Sequence, residues 1–314
     1  MTDLPGQELL ALRFEEHRSH LRAVAYRMLG SISEAEDAVQ EAWLRLSRTD
    51  VSDVENLGGW LTTVVARLCL NGLRSRETRR EDSLEARLDH PRGTGRPGGA
   101  GHPVRMPDPV ISREGAVDPQ DQVLLADSVG LALLVVLESL APAERLAFVL
   151  HDMFAVPFDE IAPMIDRTPA AARQLASRAR RRVRGQAPVP DPDLARQREA
   201  VSAFFAATRD GDFDALLALL DPDVVLRSDG GVARARQTVV LTGARTVASQ
   251  ASLYRNLAPF VLPALVNGAA GVVCVVEDRL MSVMAFTVTG GRIVAIDVIA
   301  DPERLGDLDL TALR

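Results

Sequence analysis

Six polar side chains in the middle of the chain have the types and the spacing needed to contact a DNA duplex. Arginine and glutamine can each make paired hydrogen bonds to a base edge, and arginine also binds phosphates. No acidic residue occurs between Arg167 and Arg184. The stretch therefore predicts DNA binding, and the alternative is a solvated basic helix on an ordinary bundle. The six residues are Thr168, Arg173, Gln174, Ser177, Arg178 and Arg181.

The elements that must position these side chains form a helix-turn-helix. Pro163 lies within the apolar pattern of the first helix and predicts an early end or a distortion there. Asp166 and Arg167 are expected to form the turn. Thr168 is a good N-cap, and Pro169 suits the first position of the second helix. A second helix of this kind enters a major groove in proteins that bind DNA.

The first third of the chain predicts three further helices, at about Leu9–Leu29, from a cap at Ser33 to Leu46, and at about Leu57–Arg76. The second helix is acidic on one side and apolar on the other, which suggests a protein partner or, alternatively, a solvated acidic face. The third helix becomes basic towards its end. Trp60 in this helix is either a core residue or an aromatic that stacks on an unpaired base.

The composition limits the class of protein. The chain has 314 residues and a formal net charge of −7, so only local arginine clusters can serve nucleic-acid binding. Cys69 and Cys274 lie far apart in apolar contexts, which indicates reduced core residues and neither a disulfide nor a metal site. We expect no cofactor. Without a signal-peptide pattern or an apolar run near the roughly 20 residues of a membrane span, we expect a cytoplasmic protein with no membrane partner.

A stretch rich in glycine and proline, at 89–115, predicts a linker between the helical parts, and a second break follows at 188–192. Beyond it the pattern changes to helices and strands. Helices are expected at Ala195–Arg209, Phe213–Leu220 and about Thr246–Leu257, which indicates an α+β domain with a curved antiparallel sheet. The expected strands are Val224–Arg227, Thr238–Thr242, Val261–Val266, Gly271–Val276, Leu280–Val288 and Ile293–Ile299.

Two blocks of the sequence resemble a known family. The segments RMLGSISEAEDAVQEAWLRL and GWLTTVVARLCLNGLRSRETRRED resemble region 2 of a bacterial sigma factor, and the helix-turn-helix resembles its region 4. Their order resembles that of the short extracytoplasmic-function (ECF) sigma factors, over roughly residues 8–185. The resemblance implies two all-α domains that bind core RNA polymerase and the −10 and −35 elements of promoter DNA.

The same resemblance implies a role for individual residues. The six residues of the basic stretch named above are expected at the −35 element. The residues expected to dock on the clamp of RNA polymerase are Asp37, Gln40, Glu41 and Trp43. Those expected at the −10 element are Trp60, Arg67, Asn71, Arg74 and Arg76.

The C-terminal part resembles the SnoaL-like group of the cone-shaped NTF2-like fold, which a subgroup of sigma factors carries. Three short stretches support this placement: MPDPV at 106–110, DGG at 229–231 and DPERL at 301–305. We hypothesise that this domain packs against the two sigma domains and sets their spacing, and so regulates them. The residues expected to make the interdomain contacts are Asp229, Gly230, Gly231, Asp301, Pro302 and Leu305.

The predicted organisation is region 2 at 8–88, a linker at 89–115, region 4 at 116–186 and the SnoaL-like domain at 195–314. We predict a transcription factor without enzymatic activity. One alternative is a DNA-binding regulator that acts without polymerase. Another is an isomerase- or cyclase-like C-terminal domain that uses Asp229, Asp297 or Tyr254, or a non-catalytic pocket for a small apolar ligand.

Overall fold

The computed structural model of the protein describes residues 4–49, 54–88, 106–112, 130–231, 238–306 and 308. The chain divides into a helical unit, Met1–Ala100 with Leu137–Arg184, and a sheet-bearing unit, Gly101–Val136 with Gly185–Arg314. In the described part of the chain, no helix is long and apolar enough to cross a membrane.

The first half of the helical unit is three helices, α1 Leu4–Leu29, α2 Ile32–Leu46 and α3 Leu57–Leu88. Gly30 ends α1 with a φ of 68°, a left-handed conformation that glycine adopts at little cost. The predicted cap at Ser33 is wrong: Ser31 occupies the N-cap position with extended backbone, so Ser33 lies inside α2.

Helix α4, Leu131–Glu138, spans the boundary between the two units along the chain. The second half of the helical unit then contains α5 Pro142–Phe148, a π-turn over Val149–Met153, and the helix-turn-helix. The first helix of that motif, α6, spans Phe158–Ile161 and continues as a 3-10 turn over Ala162–Met164, as Pro163 predicted. Asp166 forms the turn with a φ of 55°. The second helix, α7, spans Pro169–Gln186, and Thr168 Oγ1 accepts the Ala171 N–H at 3.3 Å, which confirms the cap.

The sheet-bearing unit contains all six predicted strands. Its seven-stranded sheet has the order β1-β4-β5-β6-β7-β2-β3. The helices are α8 Leu194–Asp210, α9 Phe213–Leu219, α10 Ala244–Leu253 and α11 Pro302–Gly306, with a 3-10 turn over Arg255–Phe260. The strands are β1 Ile111–Ser112, β2 Leu220–Asp229, β3 Val239–Thr242, β4 Val261–Val266, β5 Ala269–Val276, β6 Arg279–Thr289 and β7 Arg292–Ile299.

Two features of the sheet differ from the expectation. β2 and β7 are parallel, with Arg227 opposite Asp297, so the sheet is mixed and not wholly antiparallel. Strand direction depends on pairing between residues 70 positions apart, which a local pattern does not encode. β1 comes from the predicted linker and pairs with β4, Ile111 opposite Val266.

The core of this unit lies between the sheet and helices α8, α9 and α10. Its centre is a cluster of three aromatic rings, Phe204, Phe205 and Phe286, whose centroids are 5.4 to 5.8 Å apart in edge-on arrangements. Buried Leu216 and Val247 pack with them in the same cluster. Apolar side chains from the sheet and from these helices therefore form one packed cluster.

Candidate nucleic-acid and polymerase interface

The buried side of α7 determines which of its polar residues face outwards. Ala172, Ala176 and Ala179 are fully buried, at the spacing of one helical face. The opposite side carries the predicted −35 residues, and all six of them are exposed. The guanidinium of Arg173 lies 5.7 Å from the centroid of the Phe158 ring, which links the second helix to the first. The exposed side of α7 is therefore basic and unobstructed by the motif itself.

Two other arginines of α7 bind within the helical unit. Arg180 Nε donates to Asp152 Oδ1 at 2.5 Å, and Arg182 Nη1 donates to the Ser139 carbonyl at 3.1 Å. These contacts fix the orientation of α7 on the preceding helices. Arg180 and Arg182 thus hold the helix in place, whereas Arg173, Arg178 and Arg181 are exposed.

The predicted −10 residues lie on α3. Arg67, Asn71 and Arg74 are exposed, and their spacing of four and three residues places them on one face. Trp60 is half-buried. These four residues form one continuous surface along the helix.

Arg76 differs from the other predicted −10 residues. It is half-buried and forms an ion pair with Glu34 of α2, and its Nη1 donates to the Leu29 carbonyl of α1 at 3.3 Å. Arg76 therefore ties α3 to the two other helices, a role that its basic character alone could not reveal.

The acidic helix α2 carries the predicted polymerase-binding residues. Asp37 and Gln40 are exposed, and Glu41 accepts Arg45 Nε at 2.9 Å. The ring of Trp43 lies 5.2 Å from that of Phe14 in α1. Gln40 and Trp43 line one groove of about 420 Å³ between α1 and α2. The groove is lined by both apolar and polar side chains, among them Phe14, Val39 and Glu36.

The predicted interdomain residues surround an arginine that the sequence analysis missed. Arg304 of α11 donates to Asp108 Oδ1 at 2.6 Å, to the Met106 carbonyl at 2.6 Å and to Asp229 Oδ2 at 2.8 Å. Asp229 Oδ2 also accepts the Met106 N–H at 3.1 Å. Arg304 thus joins the captured linker segment, Met106–Ser112, to the end of β2. Opposite charges in the MPDPV and DPERL motifs were a signal that could have predicted this pair.

A second set of hydrogen bonds holds the same segment, Met106–Ser112, at the end of β4. Asn267, which is 2% exposed, accepts the Val110 N–H on its Oδ1 at 3.2 Å, and its own N–H donates to the Val110 carbonyl at 2.8 Å. Together with β1 this gives the segment a continuous set of hydrogen-bond partners within the sheet-bearing unit.

The glycine motif and the C-terminal motif meet directly. Gly231 has a φ of 63°, and a Cβ added there would lie 2.2 Å from Asp301 Cγ. The Gly231 N–H donates to Asp229 Oδ1 and the Gly230 N–H to Thr238 Oγ1, at 3.0 and 3.1 Å. Pro302 begins α11. Leu305 is buried, and its backbone N–H donates to the Asp301 carbonyl at 2.9 Å. The contacts of Arg304 with Asp108, Met106 and Asp229 are called the Arg304 clamp below. The six predicted interdomain residues therefore belong to the motifs at this clamp.

The three residues considered for catalysis do not form one site. Asp229 belongs to the Arg304 clamp, and Tyr254, the residue that follows α10, is 43% exposed. Asp297 is 1% exposed and accepts Arg227 Nη1 at 3.0 Å. Burial raises the pKa of the Asp297 carboxyl, and the charge of Arg227 partly opposes that rise. Among the described residues, no cluster of histidine, cysteine and acidic side chains could hold a metal ion.

Comparison with known proteins defines the class. The family model of Sigma-70 region 2 matches residues 13–79, and that of Sigma-70, region 4 matches residues 130–183. The chain is 38% identical to the probable ECF RNA polymerase sigma factor SigI of Mycobacterium tuberculosis, over 93% of each chain. It is 40% identical to the ECF RNA polymerase sigma factor SigJ of the same species, over 93% of this chain and 91% of that one.

A crystal structure of SigJ from Mycobacterium tuberculosis superposes with a TM-score of 0.70 at 36% identity, covering 94% of this chain and 98% of that chain. The chain belongs to the family of ECF RNA polymerase sigma factors. The predicted fold class is confirmed in its two helical sigma domains and its C-terminal α+β domain. The function of the protein is to direct promoter-specific transcription initiation by core RNA polymerase.

Proposed function

We propose that this sigma factor carries its own regulator, the C-terminal SnoaL-like domain, which acts by capturing the segment between regions 2 and 4. The observation that carries the proposal is the four hydrogen bonds of Arg304, three of them to the linker residues Asp108 and Met106. Capture replaces one long tether between the two sigma regions by two shorter ones. Shorter tethers restrict the separations that regions 2 and 4 can reach.

The exposed surfaces divide the work of initiation. The groove at Gln40 and Trp43, with Asp37 and Glu41 beside it, docks on polymerase in the cytoplasm. The face of α3 with Trp60, Arg67, Asn71 and Arg74 meets the −10 element, where stacking contributes roughly 1–3 kcal/mol per unpaired base. Arg76 supports this face from behind. The exposed side of α7 reads the −35 element, with Arg173, Gln174 and Arg178 placed for base edges, and Thr168, Ser177 and Arg181 for phosphates.

The test is run-off transcription with core RNA polymerase and a pool of promoter fragments, comparing the wild type with Arg304→Met. Methionine keeps much of the side-chain volume and removes the charge. The matched control is Arg292→Met, which removes an exposed arginine from the same unit. We expect Arg304→Met alone to change the yield of specific transcripts. Equal yields from all three proteins would refute regulation through the clamp, and no transcript from any of them would refute the promoter assignments.

Catalysis or ligand sensing in the C-terminal domain is the second candidate, and its support is weaker. A buried carboxyl with a raised pKa, Asp297, is the feature that favours it. However, Arg227 already forms an ion pair with that carboxyl at 3.0 Å. A paired Asp–Arg couple inside a packed sheet is typical of a structural role.

A further inference from the structure

An irregular turn leads into the helix-turn-helix. The chain after α5 widens to the π-turn over Val149–Met153, and turns of this kind occur frequently at functional sites. Ala155 follows with a φ of 55°. A left-handed conformation is costly for a residue with a Cβ, so the chain keeps this geometry against its local preference. Residues of the π-turn use the geometry to make two contacts with the helix-turn-helix.

The first contact is a stack of two rings. The imidazole of His151 lies on the ring of Phe158, the first residue of α6, with centroids 3.8 Å apart and planes at 29°. His151 Nδ1 donates to the Val156 carbonyl at 3.0 Å, which fixes the direction of the imidazole. Both side chains are half-buried. The ring of Phe158 is therefore held in place from outside its own helix.

The second contact fixes the helix that carries the proposed −35 residues. Asp152 of the π-turn accepts Arg180 Nε on its Oδ1 at 2.5 Å. Arg180 lies about two helical turns after Arg173, so both side chains leave α7 on the same side. The π-turn thereby holds α7 in one rotational position relative to the ring of Phe158.

The guanidinium of Arg173 meets this ring. Its Cζ lies 5.7 Å from the centroid of Phe158, within the roughly 6 Å over which a cation is attracted to an aromatic face. Arg173 is otherwise exposed. An exposed arginine samples many rotamers, and ordering such a side chain on binding costs free energy. Contact with a ring that is already fixed removes part of that cost before DNA binds.

The orientation of an arginine determines what it can read. Two donors of a guanidinium match the O6 and N7 acceptors of guanine in the major groove, and this is the commonest specific contact between protein and DNA. The match requires the guanidinium to lie nearly in the plane of the base. An arginine held in one orientation therefore favours guanine over the other bases, whereas an arginine that moves freely also binds phosphates.

We infer that Phe158 and His151 are positioning residues for base readout: they hold Arg173 so that it reads one guanine of the −35 element. The inference rests on the proposed role of Arg173 at that element. It deepens this role, because it assigns specificity to two residues that lie outside α7.

A selection experiment tests the inference with the full-length protein. Holoenzyme, formed with core RNA polymerase, selects fragments from a promoter library in which the −35 element is randomised, and sequencing gives the base preference at each position. The wild type is compared with Arg173→Ala, Phe158→Leu, Phe158→Tyr and His151→Gln. Tyrosine keeps the aromatic face and leucine removes it. Glutamine retains a donor for the Val156 carbonyl but has no ring.

We expect Arg173→Ala to abolish the guanine preference at one position. Phe158→Leu should reduce the preference at that same position by roughly 2- to 10-fold and leave the other positions unchanged. His151→Gln should act at that position in the same direction, and Phe158→Tyr should retain the wild-type profile. A folding defect would instead lower the yield of bound fragments without changing their base preferences.

The matched control is Phe154→Leu, which makes the same substitution at a nearby ring. Because the ring of Phe154 contacts His20 and Arg27, its loss should leave the base preferences unchanged. An unchanged profile for Phe158→Leu would overturn the inference, and so would an equal loss at all positions. If Arg173→Ala left every guanine preference intact, the assignment of Arg173 to a base would fail, and the inference would fail with it.

A spectroscopic measurement tests the contact without polymerase or DNA. The ring current of Phe158 shifts the NMR signal of the Arg173 Nε–H, which is identified by its absence from the spectrum of Arg173→Ala. Phe158→Leu should move this signal and Phe158→Tyr should leave it in place. A signal that stays unmoved in Phe158→Leu would overturn the positioning role, whatever α7 binds.

Discussion

Removing Arg304 should release the captured linker segment while the rest of the sheet-bearing unit stays folded. Arg304→Met deletes the ion pairs to Asp108 and Asp229 and the hydrogen bond to the Met106 carbonyl. The side chains of Arg304, Asp108 and Asp229 are 16%, 18% and 10% exposed, so the contacts are largely shielded from water. Asp229 keeps the N–H groups of Met106 and Gly231 as partners, which limits the damage.

The magnitude follows from these contacts. Breaking a buried ion pair by removing one partner costs about 3–5 kcal/mol, and partial exposure and the surviving partners of Asp229 reduce this to about 2–4 kcal/mol. The loss applies to opening of the segment and not to unfolding of the whole unit. At 1.36 kcal/mol per factor of ten, amide exchange in the segment should accelerate by roughly 30- to 900-fold.

Hydrogen–deuterium exchange of the full-length protein measures this directly. Peptides that contain Met106 and Val110, whose N–H groups bind Asp229 and Asn267, should lose protection. Peptides from β6 and β7 should not change, and neither should any peptide in Arg292→Met. If Arg304→Met left the exchange of the segment unchanged, or unprotected the whole sheet equally, the clamp would not act as argued.

Two further changes have expected outcomes. Gly231→Ala should lower the free energy of unfolding of the sheet-bearing unit in urea by about 2–4 kcal/mol, because its φ is positive and the added Cβ would collide with Asp301. Gly290→Ala has a similar φ of 58° but no atom within 4 Å of the added Cβ, so it should cost only about 1–2 kcal/mol. Equal effects of the two variants would refute the packing argument. Arg178→Ala should weaken −35 binding of the holoenzyme by about 1–3 kcal/mol in a titration with promoter DNA, and an unchanged affinity would remove it from the interface.

Several elements were predictable because their causes are local. The six strands follow from runs of β-branched and apolar residues bounded by turns, and the helix-turn-helix follows from Pro163, Thr168 and the alanine stripe of α7. The exposure of the −35 set follows from the same stripe, because residues opposite a buried helical face must point to solvent. The specific roles of these residues at DNA and polymerase remain predictions.

Other features depend on residues far apart in the chain, and only the tertiary structure decided them. The partner of Arg304 lies 196 positions away, and the parallel pairing of β2 with β7 joins residues 70 positions apart. Arg76 has the charge and the sequence context of a DNA-binding residue, but it forms an ion pair with Glu34. The sequence determined the sigma regions, the strands and the exposed basic face, since periodicity and capping act within a few residues. Which charges pair depended on how distant segments pack, because a guanidinium has the same chemistry whether its partner is a phosphate, a carboxylate or a carbonyl.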